Sequence, residues 1–138
     1  MFDTYAIALL GILMIILTVV IQSLIAAISK ATEPGAIPGK IDLSLSHSSF
    51  VFRANRTFAN SLENIAVMLG ACFLAIFVGV DTFWTGLIIW IMAVSRIMHM
   101  ILYYSISTEK NPSPRSYFYL ISLIANILLL ALSGISIS

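Results

Sequence analysis

Side chains that recur every three or four residues share one face of a helix. Three polar sets follow that spacing in this chain. The first is Arg53, Arg56, Asn60, Glu63 and Asn64, and the second is Arg96, His99 and Tyr103. The third is shorter, with Arg115, Ser116 and Tyr119 together at the start of the last apolar run. Guanidinium groups outnumber Glu63, the one acid deep in an apolar segment. Guanidinium forks match carboxylates and phosphates in geometry and charge. The surplus therefore suits lipid phosphates or an anionic ligand with carboxylates. With Asn60, His99, Tyr103 and Tyr119 added, the set fits a polar site for a small, peptide-like anion.

The elements that carry these residues are set by composition. Of 138 residues, 60% are hydrophobic and only 9% are charged, with a mean hydropathy of +1.05. Thirteen charged side chains cannot clothe a soluble globule of this length. The composition excludes a cytosolic domain, a disordered chain and a nucleic-acid binder, and implies an integral membrane protein. A net charge of +1 argues against a polyanionic partner. The single Cys72 excludes an intrachain disulfide or a cysteine metal cluster. A metal site at His99 is disfavoured, because no second His or Cys is spaced to join it.

Four continuous apolar runs cover about 5–28, 58–80, 83–106 and 117–137. Each is long enough to cross about 30 Å of hydrocarbon as a helix, and none alternates as a barrel strand would. With their polar approaches, the expected helices are 5–28, 50–80, 83–106 and 115–137. The fold class is an all-α, four-helix transmembrane bundle, and residues 1–138 form one domain. The first four residues carry no base, and the run after them is too long for a signal core, so the first helix is expected to be retained. The connection 29–49 is long and polar. The second is a tight turn around Gly79 and Asp81. The third, 107–114, contains Pro112 and Pro114, which stop one helix and pre-set the next.

Six of the seven basic residues lie in or beside the first and third connections. The positive-inside rule places loops 29–49 and 107–114 in the cytoplasm and both termini on the opposite side. Trp84, beside the turn, suits an interfacial anchor. Cys72 suits apolar packing.

The second and third helices form an antiparallel hairpin, so residues placed symmetrically about the turn share a depth. That register sets Glu63 opposite Arg96, Asn60 opposite His99, and Arg56 opposite Tyr103, within one subunit or across a subunit boundary. The simplest reading of Glu63 and Arg96 is a structural ion pair, since a buried charge needs a partner. His99 alone reads as a buried, satisfied histidine. His47, in the first loop, has no identifiable partner.

The stretch Phe52-Arg53-Ala54-Asn55-Arg56-Thr57-Phe58-Ala59-Asn60-Ser61-Leu62-Glu63-Asn64 resembles a known signature. It belongs to the membrane-associated proteins in eicosanoid and glutathione metabolism, the MAPEG family, and runs roughly E-R-x-x-R-A-x-x-N-x-x-E-N. Arg96 and His99 through Tyr103, then Pro114, Arg115, Ser116 and Tyr119, resemble a second pattern of that family. The likeness is to the microsomal glutathione transferase and prostaglandin E synthase branch and spans nearly the whole chain.

The resemblance implies a homotrimer that binds glutathione between subunits, near the cytoplasmic face, as a co-substrate and without a metal. It carries over Arg56, Asn60, Glu63, His99, Tyr103, Arg115, Ser116 and Tyr119 as glutathione contacts, with Arg96 holding Glu63. Arg115 would stabilise the glutathione thiolate, with the Ser116 hydroxyl as its rival. A free thiol has a pKa of about 8.5, so little is thiolate at neutral pH without such help. The thiolate would attack a lipophilic small molecule, an electrophilic carbon or a peroxide oxygen, arriving from the membrane lipids.

Phe52 stands where the family usually has Glu, and Ala59 where the prostaglandin branch has a further Arg. Ile65-Ala66-Val67 replaces a family proline. These differences argue against a prostaglandin or leukotriene substrate. The function expected is a glutathione-dependent transferase, with peroxidase activity as an extension. The alternative is a non-catalytic relative that holds a lipid headgroup or another anion. A channel or transporter fits less well, because the bases gather at one side and do not line a path. The short termini and lack of a retention signal lean toward a bacterial inner membrane.

Overall fold

The computed structural model describes residues 3–138. Four helices account for about three quarters of them: α1 (Ala6–Ala31), α2 (Phe50–Phe77), α3 (Thr82–Ser105) and α4 (Pro114–Ile137). All four are long and apolar enough to cross a membrane. The protein is thus an integral, multi-pass membrane protein built as a four-helix bundle.

Local chemistry explains the helix ends. Asp81 caps α3 by accepting hydrogen bonds from the Phe83 and Trp84 amides at 3.1 and 3.2 Å. Ser49 caps α2 through the Phe52 amide at 3.4 Å. Pro114 occupies the first turn of α4, and Ser113 and Ser116 form a reciprocal capping box there. The α2 helix stops at Phe77, earlier than its apolar run suggests. Gly79 takes φ +75°, a left-handed conformation that turns the chain into α3. At the other boundary α1 runs on to Ala31, with Lys30 in its last turn near the negative end of the helix dipole.

The chain runs up, down, up and down. The α1 and α4 helices do not pack on one another; α2 and α3 lie between them. Near the turn, the Tyr5 hydroxyl donates to the Val80 carbonyl at 2.7 Å, and the Trp90 indole donates to the Ile7 carbonyl at 3.0 Å. These bonds fix α1 against the start of α3. An apolar core that includes Ile12, Ile15, Met68, Cys72, Ile89, Met92 and Leu129 fills this half. Cys72 is a fully buried packing residue, as its sequence context suggests.

The bundle is inverted relative to a soluble protein. Its outer surface carries Leu10, Leu13, Leu17, Leu24, Ile124, Ile127 and Leu128, all exposed. Its interior holds Thr18, Gln22, Thr57, Ser61, Ser95, Arg96, His99, Ser122 and Asn126. This suits a hydrocarbon solvent, where apolar side chains face lipid and polar ones join helices. The α2 helix, at about 1.5 Å per residue, is roughly 42 Å long. It exceeds a hydrocarbon core of about 30 Å, so its first turns, with Arg53 and Arg56, project beyond the apolar layer.

The α1–α3 contact is close at Gly11. A Cβ added there would lie 2.7 Å from Cγ2 of the fully buried Ile89. Gly11→Ala should therefore destabilise the bundle by about 1–3 kcal/mol through overpacking. Gly134 of α4 is helical and faces open space, so Gly134→Ala should be neutral or stabilising. Thermal unfolding of both variants in detergent checks the contrast.

Candidate functional site

The polar stripes of α2 and α3 face one another at the end of the bundle that bears the two basic loops. Arg96 is buried in α3 at 3% exposure. Its Nη2 donates to Asn60 Oδ1 at 2.9 Å and to Ser61 Oγ at 2.8 Å. The expected ion pair with Glu63 does not form within the subunit. Ser61 faces the core, and Glu63, two residues on, lies roughly 200° further round the helix. Glu63 is accordingly exposed and lies 3.9 Å from Arg56, which is also exposed. Two other depth pairings change for the same reason. Asn60 meets Arg96 and not His99, and Arg56 meets Glu63 and not Tyr103. The polar set on α2 thus wraps two faces: Thr57 and Ser61 point inward, while Arg56 and Glu63 point outward.

Tyr103 is the centre of the inner cluster. The Arg115 guanidinium lies over its ring at 4.1 Å, within cation–π range. The His99 ring meets it edge-on at 5.5 Å and Tyr119 at 6.5 Å. Arg115 is buried, and its Nη2 donates to the Thr108 carbonyl at 3.2 Å. Its Nη1 and the Nδ1 of His99 have no protein partner. His99 is thus buried with its Nδ1 unsatisfied, contrary to the satisfied histidine expected, and both free groups can bind a ligand. Ser116 is partly committed: its hydroxyl accepts from the Ser113 amide at 3.2 Å.

A guanidinium with a free, desolvated N–H edge favours an anion placed against it. It can hold a carboxylate or a phosphate, or stabilise a thiolate. It cannot act as a base, because it stays protonated.

Within one subunit the space beside this cluster is small. A cleft of about 10 Å³ lies between Asn64, Arg96, Tyr119, Ser122 and Asn126, room for about one water. Two open grooves of about 410 and 430 Å³ occur near the α1–α2 loop, but Glu33 and Val51 line both and no cluster residue does. The buried charge and the unpartnered donors lie at the cluster and not at the roomier grooves.

The spacing signals missed the loop residues that close over the cluster. His47 has partners after all. Its amide donates to Glu109 Oε1 at 3.0 Å, and its ring packs against Phe52 at 4.9 Å and Tyr103 at 5.6 Å. Arg53 Nη1 donates to the His47 carbonyl at 2.6 Å, while its buried Nε has no protein partner. No local signal joins His47 to Glu109, because the pairing spans two connections.

The inner pairing is testable by a double-mutant cycle. Ser61→Ala removes an acceptor from a buried cation and should cost about 1–3 kcal/mol. In an Arg96→Met background the same change should cost much less, because no charge is left to satisfy. Denaturation in detergent measures all four proteins.

Comparison with known proteins agrees with the architecture. The family model described as "MAPEG family" matches residues 5–135. No curated protein and no solved structure matches the chain. With four membrane-crossing helices and a match over nearly its whole length, the chain belongs to the MAPEG family.

Proposed function

We propose that this protein is a membrane-bound glutathione-dependent transferase, and that its site forms at the boundary between subunits of a homotrimer. The observation that carries this reading is Arg115, a buried guanidinium stacked on Tyr103 with one free N–H group. The MAPEG family includes glutathione transferases, which supports this reading.

The outer face of α2 argues for a neighbour. Arg56 and Glu63 are exposed on the outer face of α2, and by the length of that helix Glu63 sits roughly two turns inside an apolar layer that Arg56 borders. A charge in hydrocarbon costs roughly 2.5–3.5 kcal/mol or more. A second subunit against this face would supply partners, and it would enlarge the one-water cleft into a ligand-sized site. Glutathione, with two carboxylates, would engage Arg56 and Asn60 from one side and His99, Tyr103 and Tyr119 from the other.

The chemistry then needs little more. Arg115 stabilises the glutathione thiolate, and the thiol proton passes to water. The sulfur attacks an electrophilic carbon; a carbon–sulfur bond forms and the leaving group departs with its electron pair. The Ser116 hydroxyl can share this role by rotating from its cap. The lipophilic partner reaches the site along the bilayer. With a peroxide as electrophile, the sulfur attacks one peroxide oxygen: a sulfur–oxygen bond forms, the oxygen–oxygen bond breaks, the leaving alkoxide takes a proton from water, and a second glutathione converts the resulting sulfenic acid to disulfide and water. In this reading the two basic loops lie in the cytoplasm, where glutathione is available, and the membrane is a bacterial inner membrane.

A second reading remains open on two residues. Phe52 and Ala59 are apolar where the family resemblance leads one to expect charge. The basic cluster would then hold a lipid phosphate without catalysis. Native mass spectrometry separates the two: phospholipid that glutathione cannot displace supports the second reading.

Two outcomes are expected. Arg115→Ala should lower kcat for conjugation of glutathione to an aryl halide by about 100- to 1000-fold, the scale of a lost electrostatic stabiliser. Its glutathione affinity should change by less than about tenfold. Glu63→Ala should weaken assembly, seen in native mass spectra as smaller species at detergent concentrations where the parent protein is trimeric.

A further inference from the structure

The α1–α2 loop is largely exposed from Ala31 to Lys40, yet it has a firm point of attachment shortly before α2. That point is His47. Its amide donates to Glu109 Oε1 at 3.0 Å, whereas its ring Nε2, 3.8 Å from Glu109 Oε2, is too far for a hydrogen bond from a neutral imidazole. Its carbonyl accepts from Arg53 Nη1 at 2.6 Å and from Ser107 Oγ at 2.9 Å. One residue thus joins α2, the α1–α2 loop and the α3–α4 connection.

The same short connection holds Arg115. Ser107 and Glu109 bind His47, and Thr108 between them accepts from Arg115 Nη2 at 3.2 Å. A second route runs through Tyr103, whose ring touches both the His47 ring and the Arg115 guanidinium. His47 is therefore linked to Arg115 twice, through a three-residue backbone segment and through one aromatic ring.

We infer that the α1–α2 loop is a clasp over the Arg115 end of the bundle, with His47 as its pin and a positioning residue for Arg115, and that the clasp holds while this imidazole is neutral.

The charges around His47 fix the sign. Arg53 of α2 bonds its carbonyl, Arg56 of α2 acts from further off, Arg115 approaches from α4 and Glu109 from the α3–α4 connection; Tyr103 of α3 contributes only its neutral ring. Burial, and then Arg115, hold the proton affinity of His47 below its ordinary value of 6.5, with Arg53 and Arg56 adding to the effect and Glu109 opposing it. The fold thus favours the neutral ring. The clasp is complete above about pH 6.5 and is lost as the pH falls through the lower native value.

The consequence for turnover rests on the proposed transferase reading, whereas the clasp does not. Hydrogen exchange on the full chain in detergent tests the clasp directly. Amides of 44–49 and 107–111 are followed between about pH 7 and about pH 5, with rates corrected for their intrinsic pH dependence. The expected result is a loss of protection of about tenfold on acidification. In His47→Gln that step should vanish. In Glu109→Gln, which keeps an acceptor for the His47 amide, the step should move to lower pH, because the one group favouring the imidazolium is gone. A merely structural contact would not move the step in that direction. An unchanged step in His47→Gln, or no step in the parent protein, overturns the clasp.

Kinetics test the positioning role separately. His47→Gln should lower kcat for glutathione conjugation by about ten- to a hundredfold, the scale of a misplaced catalytic group, with little change in KM. An unchanged kcat overturns the positioning role. If the parent protein turns over no substrate, the transferase reading fails, and the exchange data still decide the clasp.

Discussion

A guanidinium buried in a membrane bundle must have its donors satisfied, and the structure around Arg96 follows from that need. Hydrocarbon offers no hydrogen bonds, so a charge there demands partners from the protein. Arg96 finds them in Asn60 and Ser61 of α2. These two bonds set the register of the α2–α3 hairpin and bring the polar stripes into contact. The turn at Gly79 and the cap at Asp81 then fix where the hairpin closes. The α4 helix lies against this pair with its own buried polar residues, Arg115, Ser122 and Asn126, turned inward.

The same need divides the molecule into two halves. Near the termini the interior is apolar and closely packed, with Ile89 against Gly11. Near the basic loops it is polar and cationic, and part of its hydrogen-bonding capacity is unused at Arg115 and His99. The first half gives the fold its rigidity. The second is cationic, with Arg115 stacked on Tyr103 and Arg53 bonded to the His47 carbonyl. A functional site built on rigid helices keeps its charges in place without a ligand, which is what electrostatic stabilisation of an anion requires.

Most of this fold was legible in the residues themselves. Continuous apolar runs of about 20 residues or more allow only helices, and the capping residues Ser49, Asp81 and Pro114 mark their starts. The depth match between the α2 and α3 stripes was also legible, because it depends only on spacing about a turn. The choice of partner was not. Glu63 and Asn60 are close along the α2 stripe, and a helical period alone does not say which of them a long guanidinium will meet. The rotation of α2 decides it, and that rotation is set by the packing of Ala54, Thr57, Ser61 and Met68 against the other helices. The closure by His47 was illegible for another reason. It joins two connections that have no periodicity, and only the folded hairpin brings them together.

The central claim is that these cations form a site for glutathione. Isothermal titration of glutathione into the detergent-solubilised protein tests it most directly. The expected result is saturable heat at neutral pH that diminishes as salt is raised, as befits carboxylates held by guanidinium groups. Absence of any saturable heat up to the solubility of glutathione, in protein shown to be folded, would contradict it.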